Sequence, residues 1–81
     1  DLTQAIRLQA NYPEAFNTSG VVQAGRGDLK SAIADLSQAI KLRPNYADAF
    51  YNRGKARTES KDVNGAIADF TAAIRADSEL A

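Results

Sequence analysis

The sequence predicts an all-α fold in which antiparallel helix pairs stack as repeats, and three observations carry that prediction. The first is a period. Asp35-Leu36-Ser37-Gln38-Ala39-Ile40-Lys41-Leu42-Arg43-Pro44-Asn45-Tyr46 occurs nearly complete 34 residues earlier, as Asp1-Leu2-Thr3-Gln4-Ala5-Ile6-Arg7-Leu8-Gln9-Ala10-Asn11-Tyr12. It recurs in weaker form from Asp69-Phe70-Thr71-Ala72-Ala73-Ile74-Arg75. Between these copies Ala15-Phe16 aligns with Ala49-Phe50, Gly20 with Gly54, and Ala32-Ile33-Ala34-Asp35 with Ala66-Ile67-Ala68-Asp69. The second observation is apolar residues at helical spacing, and the third is punctuation by Pro, Gly and Asp at matching points. A period of this length belongs to helix-turn-helix units, which bury their apolar faces by stacking on one another.

Residues 1–9 carry Leu2, Ala5, Ile6 and Leu8 at helical spacing, and read as the second helix of a repeat whose first helix is missing. Pro13 then suits the first turn of a new helix, because its fixed φ is already helical and its absent N–H would have had no partner there. Glu14 favours the dipole at that end. This helix should run from about Pro13 to Arg26, with Phe16, Ser19, Gly20 and Gln23 on one side and Asn17, Val21 and Ala24 on the next. Gly27 closes it in the left-handed region that other residues resist. Asp28 is an N-cap for a helix through about Leu42, with Leu29, Ala32, Ile33, Leu36, Ala39 and Ile40 as its apolar stripe. Pro44 stops it. The plan repeats with a helix from about Ala47 to Ser60, a cap at Asp62 and a helix from about Val63 to Ala76. Lys61 stands where Gly27 stood, and a left-handed backbone there costs about 1 kcal/mol, which predicts a looser turn. Gly65 weakens the last helix by roughly 0.5–1 kcal/mol.

Composition narrows the function. Ten positive and ten negative side chains balance among 81 residues, so no long-range field favours nucleic acid or an anionic membrane. Cysteine and histidine are absent, which removes thiolate nucleophiles, disulfides, the usual zinc sites and the commonest general base. No apolar run approaches the roughly 20 residues that span a bilayer. The chain reads as soluble, with no targeting signal in the stretch. It opens inside a repeat, and so reads as a fragment of something longer.

In the first complete unit Phe16, Gly20, Ala32, Leu36, Ala39 and Pro44, and in the second Phe50, Gly54, Ala66, Phe70 and Ala73, reproduce a known pattern of aromatic, small and proline positions. The whole chain thereby resembles the tetratricopeptide repeat family. Departures fall where that family usually has leucine and tyrosine, here Ser19 and Gln23 in one unit and Arg53 and Arg57 in the other. The resemblance implies a right-handed superhelical array, an α-solenoid. Residues 1–12 would be the second helix of a truncated repeat, 13–46 a first full repeat, and 47–81 a second, uncapped one. The pentatricopeptide array, which binds RNA, has a period one residue longer.

The resemblance also implies that the first helix of each pair lines a concave groove for a partner peptide or helix. The groove strip is Asn17, Val21 and Ala24, then Asp48, Tyr51, Asn52, Lys55, Thr58 and Glu59, with Glu14 nearby. Tyr51 would supply amphipathic contact area, Asn17 and Asn52 hydrogen bonds to peptide groups, and Lys55 attraction for a carboxylate. Some family members grip the C-terminal carboxylate of chaperone tails. Asn17 and Val21 occupy the places where the lysine and first asparagine of that clamp would stand, so the clamp is not assembled. Asp1, Asp35 and Asp69 recur once per repeat, at a spacing near 10 Å that is too wide to share an ion, and read as solvated charges. Tyr12 and Tyr46 read as packing at the turn between units. No nucleophile with its base, phosphate loop, metal set or cofactor motif is present, which argues against an enzyme and against a cofactor.

The leading expectation is thus a protein-interaction module without nucleic-acid or membrane partners, inside a scaffold or regulatory chain. The alternative is a self-stacking structural array. The face carrying Leu2 and Ile6 and the face carrying Phe70 and Ile74 both lack neighbours, which would join copies end to end or exchange helices into a homo-oligomer. A third expectation is recruitment of substrates for an enzyme elsewhere in a parent chain.

Overall fold

The computed structural model describes residues 12–80, and four α-helices occupy almost all of them. They are α1 Pro13–Gly25, α2 Leu29–Leu42, α3 Ala47–Glu59 and α4 Val63–Leu80. The helix expected over residues 1–9, with Leu2 and Ile6, lies outside the described residues.

Local chemistry sets the boundaries. Pro13 occupies the first turn of α1, and Tyr12 and Tyr46 stand at the N-caps of α1 and α3 in extended backbone without a side-chain cap. Asp28 and Asp62 do cap α2 and α4. Asp28 accepts from the Ser31 N–H at 3.4 Å, and Asp62 Oδ1 from the Gly65 N–H at 3.1 Å. Gly65 has a packing reason as well, since a Cβ there would fall 2.3 Å from Asp62 Oδ2 and 2.9 Å from Arg57 Cδ.

Between α1 and α2 the chain turns through Gly27 at φ +86°. The Gly27 N–H donates to the Ala24 carbonyl at 3.0 Å and the Asp28 N–H to the Gln23 carbonyl at 2.9 Å, the paired bonds of a Schellman cap. Lys61 takes the same place between α3 and α4 at φ +69°. Its turn is not looser than the first. The Lys61 and Asp62 N–H groups reach the Thr58 and Arg57 carbonyls at 3.1 and 2.8 Å. The two bonds and the Asp62 cap hold a lysine in a backbone region that costs about 1 kcal/mol, and the cost falls on stability rather than on geometry. The last helix runs four residues beyond the expected Ala76, because Ser78 stands where Pro44 ended α2 and nothing there removes a donor.

Packing follows the repeat. α1 pairs with α2 and α3 with α4, while α3 also lies across α2 and touches α1. Close approach depends on the two glycines that the pattern singles out. A Cβ on Gly20 would meet Leu36 Cγ at 2.6 Å, and one on Gly54 would meet the Phe70 ring at 2.8 Å. The core is narrow. Ala32, Leu36, Ala39 and Ala49 are fully buried and Ala56, Ala66 and Ala76 nearly so, which leaves Leu36 as the one large apolar side chain wholly out of water among the described residues. Phe16, Phe50 and Phe70 are only half-buried. At about 25 cal/mol per Å², alanines contribute little each, so polar contacts carry more of the specificity than in a larger domain.

Candidate functional site

The positions that depart from the family pattern form a polar spine between the helices of each pair. In the first pair Ser19 Oγ donates to Asp35 Oδ2 at 2.7 Å and Gln23 Nε2 to the same oxygen at 2.6 Å. In the second pair, one period later, Arg53 replaces Ser19, Arg57 replaces Gln23 and Asp69 replaces Asp35. Arg53 holds Asp69 through both oxygens at 2.9 and 2.8 Å, and Arg57 adds a third bond at 2.9 Å. Arg53 also donates to Ser37 Oγ at 3.1 Å, tying α3 to α2, and its guanidinium lies 5.6 Å from the centre of the Phe50 ring.

This corrects the expectation that the recurring aspartates are solvated for Asp35 and Asp69, while Asp1 lies outside the described residues. Asp69 is 2% exposed, and Asp35 is half-buried with two donors on it. The physical reason is that Gly20 and Gly54 bring the paired helices so close that a short carboxylate at this point is partly or wholly covered, and facing donors make its burial tolerable. Among the described residues no group of three potential metal ligands converges.

The groove residues fall along the exposed side of α1 and α3. Asn52 Nδ2 donates to Asn17 Oδ1 at 3.0 Å, so these amides are joined across the two helices. Beside them, Val21, Ala24, Asn52, Lys55 and Glu59 surround a depression of about 150 Å³ floored by Leu36 and Ala56. Thr58 does not line it; its hydroxyl donates back to the Gly54 carbonyl at 2.9 Å, within its own helix. Tyr51 is 52% exposed and carries the Lys55 ammonium 5.6 Å from its ring centre.

Tyr51 leads into a second depression, of about 350 Å³, formed with Phe70, Ala73 and Ile74 and bordered by Asp48 and Asp77. The Tyr51 and Phe70 rings are 5.7 Å apart and tilted by 53°. Phe70, expected at a free end, therefore works inside the pair, against Gly54 and Tyr51. Ile74 is 69% exposed, as are Val63 and Ile67 at 61% and 59%, so one side of α4 presents an apolar stripe. The role of Asp77 was not legible from helix spacing alone. The signal that finds it is the repeat register, which pairs Asp77 with Arg43.

At the junction of the pairs, Glu14 and Arg43 form an ion pair and the Arg43 guanidinium lies 4.6 Å over the Tyr46 ring. Burial pushes the Tyr46 hydroxyl above its ordinary pKa, with Glu14 and Asp48 adding to the rise while Arg43 and the Asn17 amide oppose it. No helix among the described residues is long and apolar enough to cross a membrane.

Comparison with known proteins agrees with this geometry. A family model described as TPR repeat matches residues 20–60, and one described as tetratricopeptide repeat matches residues 47–80. Among solved structures, the crystal structure of MamA is similar at a TM-score of 0.90 and 24% identity, over 96% of this chain and 46% of that chain. That likeness is one of fold, and this chain spans less than half the length of the protein it matches. No curated protein matches the sequence.

Proposed function

From the premise that the chain belongs to the tetratricopeptide repeat family, whose members generally mediate protein–protein interaction, we propose that its concave strip binds a peptide or helix of a partner protein. The observation that carries this reading is Tyr51, a large amphipathic side chain half in water, with Lys55 against its ring and Asn52, bonded to Asn17, next to it in the chain. A rigid aromatic beside side-chain amides is the composition of a peptide-binding surface. The ring supplies contact area at small entropic cost, and the amides satisfy peptide groups that binding takes out of water. The role assigned is binding rather than catalysis, within a larger scaffold or regulatory chain.

Selection of displayed peptides on the 81-residue chain, followed by fluorescence anisotropy, tests the proposal. Tyr51→Ala and Lys55→Ala are each expected to weaken a selected peptide, the tyrosine change by about tenfold or more, with helicity unchanged. Equal affinity for both variants and the parent would reject the groove.

A second reading has one observation in its favour. Val63, Ile67 and Ile74 expose an apolar stripe on α4, which supports association of copies through that end. Light scattering over a concentration series tests it, with mass expected to rise in the parent and to stay monomeric in Ile74→Lys. Constant monomer mass in both rejects the reading.

A further inference from the structure

Gly65 is the third residue of α4, a place where glycine weakens a helix and local sequence gives no reason for it. The reason lies across the pair. A Cβ there would fall 2.3 Å from Asp62 Oδ2 and 2.9 Å from Arg57 Cδ. Arg57 leans towards Asp62, with Nε 3.8 Å from Oδ2, while its Nη1 holds Asp69 at 2.9 Å. The ion cluster of the second pair therefore requires glycine at this point. In the first pair, where Gln23 stands in place of Arg57, the counterpart of Gly65 is Ser31.

This requirement has a chemical consequence, because the residue before Gly65 is Asn64. The sequence holds one Asn-Gly dipeptide, and its four other asparagines precede tyrosine, threonine or arginine. In an Asn-Gly pair no side chain on the second residue obstructs attack of its backbone nitrogen on the asparagine Cγ. The nitrogen gives up its proton to water, a new N–C bond closes a five-membered succinimide, and the side-chain amide leaves as ammonia. Water then opens the ring at either carbonyl, giving aspartate or isoaspartate. Asn64 is exposed, so the only co-reactant is at hand.

The fold opposes that attack. The Gly65 N–H donates to Asp62 Oδ1 at 3.1 Å, which engages the attacking nitrogen, and a carboxylate against it disfavours loss of its proton. Ring closure also requires Asn64 to leave the helical backbone that α4 gives it. Both restraints depend on the turn that precedes α4. There Lys61 sits at φ +69°, in the left-handed region that Gly27 occupies at the matching turn of the first pair without a Cβ conflict. The stability lost at Lys61 makes local opening of this turn more frequent.

We propose that Asn64–Gly65 is a site of succinimide-forming modification, held closed by the Asp62 cap and exposed whenever the Lys61–Asp62 turn opens. An isoaspartate at position 64 runs the backbone through the side chain and adds a methylene ahead of the Gly65 N–H, which draws that N–H away from Asp62. The lesion thus falls on the first turn of α4 and on the carboxylate beside Arg57. The inference stands independently of the groove reading.

The test incubates the intact chain at mildly alkaline pH, folded and in urea, and follows each asparagine by peptide mapping that separates asparagine, aspartate and isoaspartate. In urea, Asn64 is expected to convert faster than each of the other four asparagines. Folding is expected to slow it by about tenfold or more. Asp62→Ala should speed conversion in the folded chain by about fivefold, through loss of the cap, and Lys61→Gly should slow it by a similar factor. Asn64→Gln, whose longer side chain closes the smaller ring no longer, is expected to keep its amide.

If Asn64 converts no faster than the other asparagines in urea, it is not the site and the proposal fails. Equal rates in the folded and unfolded chain overturn the gate. Rates unchanged by both Asp62→Ala and Lys61→Gly overturn the role of the cap and turn. Should circular dichroism show that Asp62→Ala has lost its helices, Lys61→Gly decides alone, and a rate equal to that of the parent rejects the proposal.

Discussion

Asp69 provides the sharpest test of how this small array holds together, because its counterpart Asp35 has the same place and a different environment. Asp69→Ala removes a carboxylate that is 3% exposed in its side chain and leaves Arg53 and Arg57 facing the vacated space. Breaking a buried ion pair by deleting one partner costs about 3–5 kcal/mol, since the remaining charge stays desolvated without compensation. The two arginine side chains keep 16% and 26% exposure and Arg57 keeps Asp62 at 3.8 Å, so part of that loss is offset and the low end, about 3 kcal/mol, is expected. Asp35→Ala releases only Ser19 and Gln23, both neutral, and about 1.5 kcal/mol is expected. For a chain of this size the total stability is on the order of 4–12 kcal/mol, so the larger change removes a substantial part of it. Urea unfolding followed by circular dichroism, with a slope near 1 kcal/mol per M, should show a midpoint lowered about twice as far by Asp69→Ala as by Asp35→Ala. Arg53→Ser with Arg57→Gln in the Asp69→Ala background should recover part of the loss, because it removes the stranded cations. Equal midpoint shifts for the two aspartates, or no recovery in the triple variant, would refute the reasoning.

Three further outcomes follow from the same geometry. Lys61→Gly should raise stability by about 1 kcal/mol, measured by urea melts, because glycine occupies φ near +69° without the Cβ conflict that lysine bears. In α1, Gly20→Ala should lower stability by about 1–3 kcal/mol, since its Cβ would meet Leu36 and the Ala32 carbonyl, whereas Gly25→Ala, with nothing within 4 Å, should raise it by up to about 1 kcal/mol. The raised pKa of Tyr46 means that the folded state holds that proton more tightly than the unfolded chain. Its contribution is therefore complete below the unfolded value and lost as pH climbs through the folded one, so stability should fall above about pH 10, and fall less in Tyr46→Phe.

Much of the helix plan was readable because its causes are local. Pro13, Gly27, Asp28, Pro44 and Asp62 act on their own or adjacent peptide groups, and the 34-residue period carries each signal from one unit to the next. The exposure of Val21, Tyr51 and Lys55 was readable for a similar reason, as spacing alone puts them on the open sides of their helices. The fate of Asp69 was not, because a carboxylate in an apolar stripe looks alike whether it meets water or a guanidinium.

By itself, then, the sequence determined the four helices of the described residues, their order and their repetition, since hydrogen bonding within a turn and stripes of period 3.6 need no knowledge of neighbours. Tertiary structure decided which charges are covered. Arg53 finds Asp69 across 16 residues of chain, and Ser19 finds Asp35 across the same interval, only because Gly54 and Gly20 let the paired helices close to contact. It also decided that Asp48 and Asp77 border one depression and that Phe70 packs against Gly54 and Tyr51 across its pair. Those facts depend on how two helices cross, and the crossing is set by side-chain contacts along the whole interface rather than by any single residue's neighbours in sequence.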